Sequence, residues 1–200
     1  MKKNNLRFIG NEFKYVKDVL NSGFKAGADG AYTSKFEKLF NKTHKTNFSI
    51  AMNSGTSTLH AALLALNLKP GDEVAVPSLT PLMCGLSIYL AGATPLYIDS
   101  NVETFLMDPY DLEKKITKKT KVVMPVHMYG GMCDMSSIKK IARKYKLKII
   151  EDCAQCWFGK DSLGKISGTV GDIGSWSLEN SKQLSSGDGG IIACKNKNLA

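Results

Sequence analysis

No stretch of this sequence approaches the roughly 18 consecutive apolar residues that a membrane-crossing helix needs, so a transmembrane helix is not expected. The start does not pair a charged segment with an apolar one in the manner of a secretory signal. The cysteines number five, which cannot all pair within one chain. Reduced thiols and a cytoplasmic location are the expectation. Histidine is scarce, and His44, His60 and His127 are scattered. The Cys153-Ala-Gln-Cys156 motif therefore lacks a second ligand pair at zinc spacing, and no metal is expected. Aromatic residues are only 8% and rarely fall among the lysines that produce the net charge of +9. Runs such as Lys114-Lys-Ile-Thr-Lys-Lys-Thr-Lys121 then read as solvated surface rather than a nucleic-acid face. That charge still suits anionic substrates.

What is present is the ordinary material of a globular chain, 43% hydrophobic and 22% charged, enough for one substantial core. Phe13, Val16, Val19 and Leu20 recur at helical spacing, with Gly23 as a stop. Ser34-Lys-Phe-Glu37 has capping-box form and predicts a second amphipathic helix that turns Phe36, Leu39 and Phe40 inward. From about Ser49 the rhythm changes to alternating strands and helices. Strands are predicted at Glu73–Pro77, Thr94–Ile98, Lys121–Val126, Lys148–Asp152 and Gly190–Cys194. Helices are predicted at Leu59–Leu66, at Leu82–Leu90 and around Ile138–Tyr145. Such alternation builds an α/β fold with a mostly parallel sheet sandwiched by helices. Residues 1–48 form an N-terminal helical segment and residues 49–200 a larger sheet domain. The Asn198-Leu-Ala200 end reads as a further helix begun, so a domain continuing past residue 200 is expected.

Three segments carry chemistry. Asn53-Ser-Gly-Thr-Ser-Thr58 stands at a helix N-terminus, where free N–H groups, the helix dipole and hydroxyls favour an anion. Gly55 permits close approach of a phosphate, and Thr56 and Ser57 supply hydroxyls. An ordinary N-cap is the plainer alternative. Asp152 ends an apolar strand, the place where parallel sheets bind ligands. A strand-end aspartate also commonly caps the following turn. Lys182 lies among small and hydroxylic residues, five after Ser177, with Trp176, Leu178 and Leu184 nearby to desolvate it. A half-buried lysine and a strand-end acid are what pyridoxal phosphate (PLP) requires: the lysine forms the Schiff base and the acid holds the pyridine nitrogen protonated. Gln155 is placed to contact the cofactor's phenolic oxygen, and Ser177 to reach the phosphate.

From about Asn53 to Gly190 the chain resembles the PLP-dependent sugar aminotransferases of the DegT type, which have the aspartate-aminotransferase fold. The matching segments are Asn53-Ser-Gly-Thr-Ser57, Pro70-Gly-Asp-Glu-Val-Ala-Val-Pro-Ser-Leu-Thr80, Ala91-Gly-Ala-Thr-Pro95, Pro125-Val-His-Met-Tyr-Gly130, Ile150-Glu-Asp-Cys-Ala-Gln155, Gly171-Asp-Ile-Gly174 and Ser181-Lys-Gln-Leu-Ser-Ser-Gly-Asp-Gly-Gly190. The resemblance implies that Lys182 carries PLP, Asp152 pairs with the pyridine nitrogen, Gln155 contacts the ring, and Thr56, Ser57 and Ser177 contact the phosphate. It implies an amino-acid donor, glutamate, a nucleotide-linked keto-sugar acceptor, a small C-terminal domain, and a homodimer in the full-length form. The same residues would serve amination of a keto-cyclitol, or a non-catalytic PLP-fold chain that needs a partner. Pro81 stands where the family often places a ring-stacking aromatic. Lys182 argues against the related dehydratases, which carry histidine there.

Overall fold

The computed structural model describes residues 10–23 and 30–200, which fall into two compact units, Met1–Leu39 and Phe40–Ala200. In the first, helix α1 (Glu12–Asn21) ends just before Gly23, whose φ of +70° breaks the helix as expected. None of the α1 residues is buried, so its apolar stripe of Phe13, Val16 and Leu20 faces outward. Residues 24–29 lie outside the described residues. Helix α2 (Ala31–His44) starts earlier than the capping-box reading placed it. The Ser34 N–H already donates to the Gly30 carbonyl at 3.0 Å, so Ser34 is inside the first turn and does not cap it. Leu39, expected inward, is 61% exposed, whereas Phe40 is buried.

The division between the units falls inside α2, ahead of residue 49, where the sequence rhythm changes. Phe40 and His44 begin the second unit because their rings are built into its core. Phe40 lies edge-on to Trp176 at 4.8 Å, and His44 stacks on Phe40 at 4.0 Å.

The second unit is the expected mostly parallel sheet, with seven strands. Its strands are β1 (Phe48–Met52), β2 (Glu73–Pro77), β3 (Thr94–Ile98), β4 (Thr120–Val123), β5 (Lys148–Asp152), β6 (Ile173–Ser177) and β7 (Gly190–Cys194), in the order β1-β7-β6-β5-β4-β2-β3. Strand β7 runs antiparallel to both β1 and β6, and the other pairings are parallel. Helix α3 (Gly55–Ala65) packs on β6 and β7, α4 (Leu82–Leu90) on α3 and β3, and α6 (Met135–Tyr145) on β5 and α5 (Pro109–Lys115). The buried strand β2, Glu-Val-Ala-Val-Pro, shows the near-continuous apolar run of a sheet covered on both faces. Leu63, Val76, Ile88, Met124, Ile138 and Ile150 are fully buried, each contributing about 1.5–3 kcal/mol through removal from water.

Three elements depart from the sequence reading. The expected strand Lys121–Val126 is cut to Thr120–Val123, because Pro125 has no N–H to continue the ladder. Val126 rejoins only as an isolated bridge to Asp152. Helix α3 begins at Gly55, ahead of the expected Leu59, under the Ser54 cap. Helix α5 was not anticipated, although it carries its own signals: Asp108 caps the Tyr110 N–H at 2.9 Å, Pro109 opens the first turn, and Lys114 and Lys115 oppose the dipole at its end.

Candidate functional site

Strand pairing places the chemistry at one end of the sheet. Met52 at the end of β1 pairs with Gly190, and Gly190 pairs with Ser177 at the end of β6. Asp152 ends the neighbouring β5, in register with Ser175. The turn leaving β1 enters α3, so the helix N-terminus opens onto that same end.

Ser54 is the N-cap of α3. Its hydroxyl accepts the Ser57 N–H at 3.1 Å and lies 2.9 Å from the Ser57 Oγ. The N-cap alternative is therefore realised, by Ser54 rather than by Thr56 or Ser57. It satisfies one first-turn donor and leaves Gly55 and Thr56 as helix-start N–H groups. Gly55 has no room for a side chain, since a β-carbon there would sit 2.8 Å from the Ser177 Cβ. The start of α3 is thus pressed against the end of β6. One residue deeper, the Thr58 hydroxyl bonds the Gly55 carbonyl and the Ser175 hydroxyl, each at 2.6 Å. Gly55, Thr56, Ser57 and Ser177 bring backbone N–H groups and hydroxyls to the positive end of a helix.

Asp152 is 3% exposed. Its Oδ1 accepts the Ala154 N–H at 2.9 Å and its Oδ2 accepts the Cys84 thiol at 3.2 Å. The capping alternative is therefore also partly realised, with one oxygen on the following turn. Burial raises the carboxyl above its ordinary value, while the two donors and the charge of Lys182 act to lower it. A buried carboxylate facing a cationic group is a partner for a protonated ring nitrogen.

Lys182 lies on the turn after β6, half-buried, its N–H donating to the Glu179 carbonyl at 3.0 Å. Ser177 is buried, and its Oγ accepts the Glu179 N–H at 3.3 Å. Gln155 is half-buried and already engaged. Its Oε1 accepts the Tyr129 N–H at 2.9 Å, and its carbonyl accepts the Gln183 side-chain amide at 2.6 Å. That last bond ties the lysine-bearing turn to the segment after Asp152. Pro81 is the N-cap of α4 and exposed.

Sequence reasoning missed two contributions. Cys84, which sequence reasoning singled out for no role beyond a reduced thiol, touches Asp152, and the Thr80 hydroxyl donates to its sulfur at 3.1 Å. The signal was the four-residue spacing from Thr80 at the start of a helix, which places both beside one strand end. Glu151 was passed over beside Asp152. It is fully buried, with Oε1 accepting the Val170 and Gly171 N–H groups at 2.7 and 2.6 Å. Its Oε2 accepts Gly168 N–H at 2.9 Å and faces His127 Nε2 at 3.1 Å. The Cys133 N–H donates into His127 Nδ1, so Nε2 bears the hydrogen that faces Glu151. His127, Glu151 and Cys153 bring ligand-type atoms within 4.8 Å of one another. Glu151 has every acceptor direction in use, and burial pushes the Cys153 thiol up to about 12, so the trio reads as an internal clamp.

Among the described residues no helix is long and apolar enough to cross a membrane, and all five cysteines are buried and unbonded. Several known proteins are similar to this chain. GDP-perosamine synthase of Escherichia coli O157:H7 is 42% identical over 190 residues, 95% of this chain and 52% of its own. An aminotransferase from Psychrobacter cryohalolentis superposes with a TM-score of 0.91 at 34% identity, over 96% of this chain and 49% of that one. A putative sugar aminotransferase of Streptococcus pneumoniae, Spr1654, solved in PLP and PMP forms, gives TM-scores of 0.85 and 0.86 at 29% identity, over 94% of this chain and 51% and 50% of those. The chain spans about half the length of the curated relatives it matches. Residues 8–200 match the DegT/DnrJ/EryC1/StrS aminotransferase family, and the chain belongs to that family.

Proposed function

We propose that residues 49–200 are the cofactor-binding large domain of a PLP-dependent aminotransferase that moves an amino group from an amino acid, glutamate in this reading, to a keto group of a nucleotide-linked sugar. One observation supports this above the others. A buried carboxylate at the end of β5, a half-buried lysine whose charge acts on it, and a helix N-terminus pressed against Ser177 all meet at one end of a parallel sheet. These residues fit PLP in chemistry. The start of α3 at Gly55 offers N–H and hydroxyl donors to a phosphate, and Asp152 offers an acid to a ring nitrogen.

When bound, PLP supplies a carbonyl for amine exchange and an electron sink for the bond changes at the substrate carbon. Lys182 would hold the cofactor through its Nζ and, freed when the donor amine takes its place there, would use the same Nζ to carry the substrate proton. Asp152 would hold a proton on the ring nitrogen from a buried site. Thr56, Ser57, Ser177 and the first-turn N–H groups of α3 would anchor the phosphate, and Gln155 would border the ring from the turn after β5.

The donor and acceptor in this reading are small anionic molecules, which the net charge of +9 attracts. The reading includes a cytoplasmic location and a homodimer in the full-length form. The outward face of α4, with Leu82, Tyr89 and Leu90 exposed, is apolar surface of the kind that association buries. The test is an amine-transfer assay on the full-length protein with PLP, glutamate and a panel of nucleotide keto-sugars, with a keto-cyclitol included. Glutamate-dependent amination of one nucleotide sugar is expected. Amination of the cyclitol alone would move the acceptor class, and no exchange with any amino acid would remove the reading.

A further inference from the structure

Asp152 is held from two sides by the protein itself. The Ala154 N–H comes from its own chain segment and fixes Oδ1. The second donor comes from elsewhere in the sheet domain: Cys84, in the first turn of α4 and 1% exposed, points its thiol at Oδ2 from 3.2 Å. Behind the sulfur stands Thr80, whose hydroxyl donates to Sγ at 3.1 Å. Thr80 therefore occupies the sulfur as an acceptor, and the one hydrogen of the thiol is directed at the carboxylate. Two donors on two different oxygens fix the plane of the group, which a single donor would leave free to turn about its Cβ–Cγ bond.

We propose that Cys84 is a positioning residue for Asp152: its S–H···O bond holds the carboxylate in plane and ionised, so that the acid faces the cofactor's ring nitrogen. Which atom the acid faces rests on the function proposed above, whereas the Thr80–Cys84–Asp152 chain does not. The chemistry favours the thiol as donor throughout. Burial and the adjacent Asp152 charge push the Cys84 thiol far above its ordinary value, so it keeps its hydrogen at any working pH. The ionised form of a carboxyl group out of water depends on such donors, because burial alone drives it neutral. The other charged or titratable groups acting on Asp152 are His127 and Lys182, with the Cys153 thiol also close in charge interaction. None of them donates a hydrogen bond to its oxygens, which leaves Cys84 as the side-chain donor among the described residues.

The experiment reads the carboxyl group directly, without cofactor. The chain is labelled with carbon-13 at aspartate carboxyls, the Asp152 signal is assigned by its loss in Asp152→Asn, and its titration is followed by NMR. Cys84→Val, close in size but without a donor, should move the midpoint up by about one pH unit. Cys84→Ser, which keeps a donor in the same place, should hold the midpoint at or below its starting value. If Cys84→Val does not fold, Cys84→Ala carries the same expectation. An unmoved midpoint without the donor, or an equal rise in Cys84→Ser, overturns the proposal. On the loaded protein, nitrogen-15 in the cofactor ring should shift toward the unprotonated value in Cys84→Val and return in Cys84→Ser. Failure to bind PLP at all would remove the proposed function, and the unloaded titration would still decide the role of Cys84.

Discussion

Gly55 and Ser177 meet so closely that a β-carbon on Gly55 would lie 2.8 Å from the Ser177 Cβ and 3.2 Å from its Oγ. The first contact is shorter than packed carbons tolerate and the second is tight, and the neighbour is the end of a central strand rather than the tip of a flexible side chain. The start of α3 and the end of β6 therefore form one wall. Gly55→Ala should force them apart, lowering stability by about 1–3 kcal/mol and displacing the first-turn N–H groups from Ser177. Denaturant unfolding measures the first effect. Titration with PLP should show at least about a tenfold weaker affinity, which is about 1.4 kcal/mol. Wild-type affinity in a folded Gly55→Ala chain would separate this wall from phosphate binding.

Asp152 should matter to turnover more than to cofactor capture. Asp152→Asn keeps the volume and the acceptor for Ala154 but removes the negative charge. The full-length variant should still bind PLP and lose about 10²-fold or more in amine transfer, the usual cost of removing one preorganised charge contact. Steady-state kinetics beside a binding titration checks this. Near-normal kcat would take Asp152 out of the mechanism.

Glu151, next to it, should behave in the opposite way. Its two oxygens gather three backbone N–H groups from residues 168–171 and the His127 ring, all in the interior. Glu151→Ala strands those donors without water, and the cost should be about 3–5 kcal/mol. Chemical denaturation reads that loss directly. A change below about 1 kcal/mol would mean that the clamp is not structural.

His44 gives the fold a pH dependence of known sign. Burial lowers its value below the ordinary 6.5, outweighing the acceptor contact with the Trp157 carbonyl. The unfolded chain thus binds the proton at a higher pH than the folded one. The contribution is complete above about 6.5 and is lost as pH falls through the depressed folded value. His44→Phe retains a ring for Phe40 to stack on and removes the titration. The difference in Tm between wild type and His44→Phe should therefore change between pH 7 and 5, with the wild type losing more. A constant difference over that range would contradict the assignment.

Much of the sheet could be read from the chain because buried parallel strands are short apolar runs. Glu73–Pro77, Thr94–Ile98, Lys148–Asp152 and Gly190–Cys194 stand where the residues placed them. The antiparallel sense of β7 could not be read, since Gly-Ile-Ile-Ala-Cys carries the same pattern in either direction and only pairing with β1 and β6 decides it. Leu39 followed helical spacing and still faces outward, because the period fixes which residues share a face but not how wide a face is buried. At the site, Asp152 and the Gly55 turn announced themselves through strand-end position and helix-start chemistry. Cys84 and Glu151 did not. Their roles depend on a neighbour 68 residues away in one case and on backbone donors from residues 168–171 in the other.

The proposed function turns on Lys182 as the residue that holds the cofactor beside Asp152. Full-length protein is loaded with PLP, reduced with borohydride, digested and mapped by mass spectrometry. The reduced pyridoxyl label is expected on the peptide containing Lys182, with none in Lys182→Ala. Label on a different lysine, or undiminished labelling in Lys182→Ala, would contradict it.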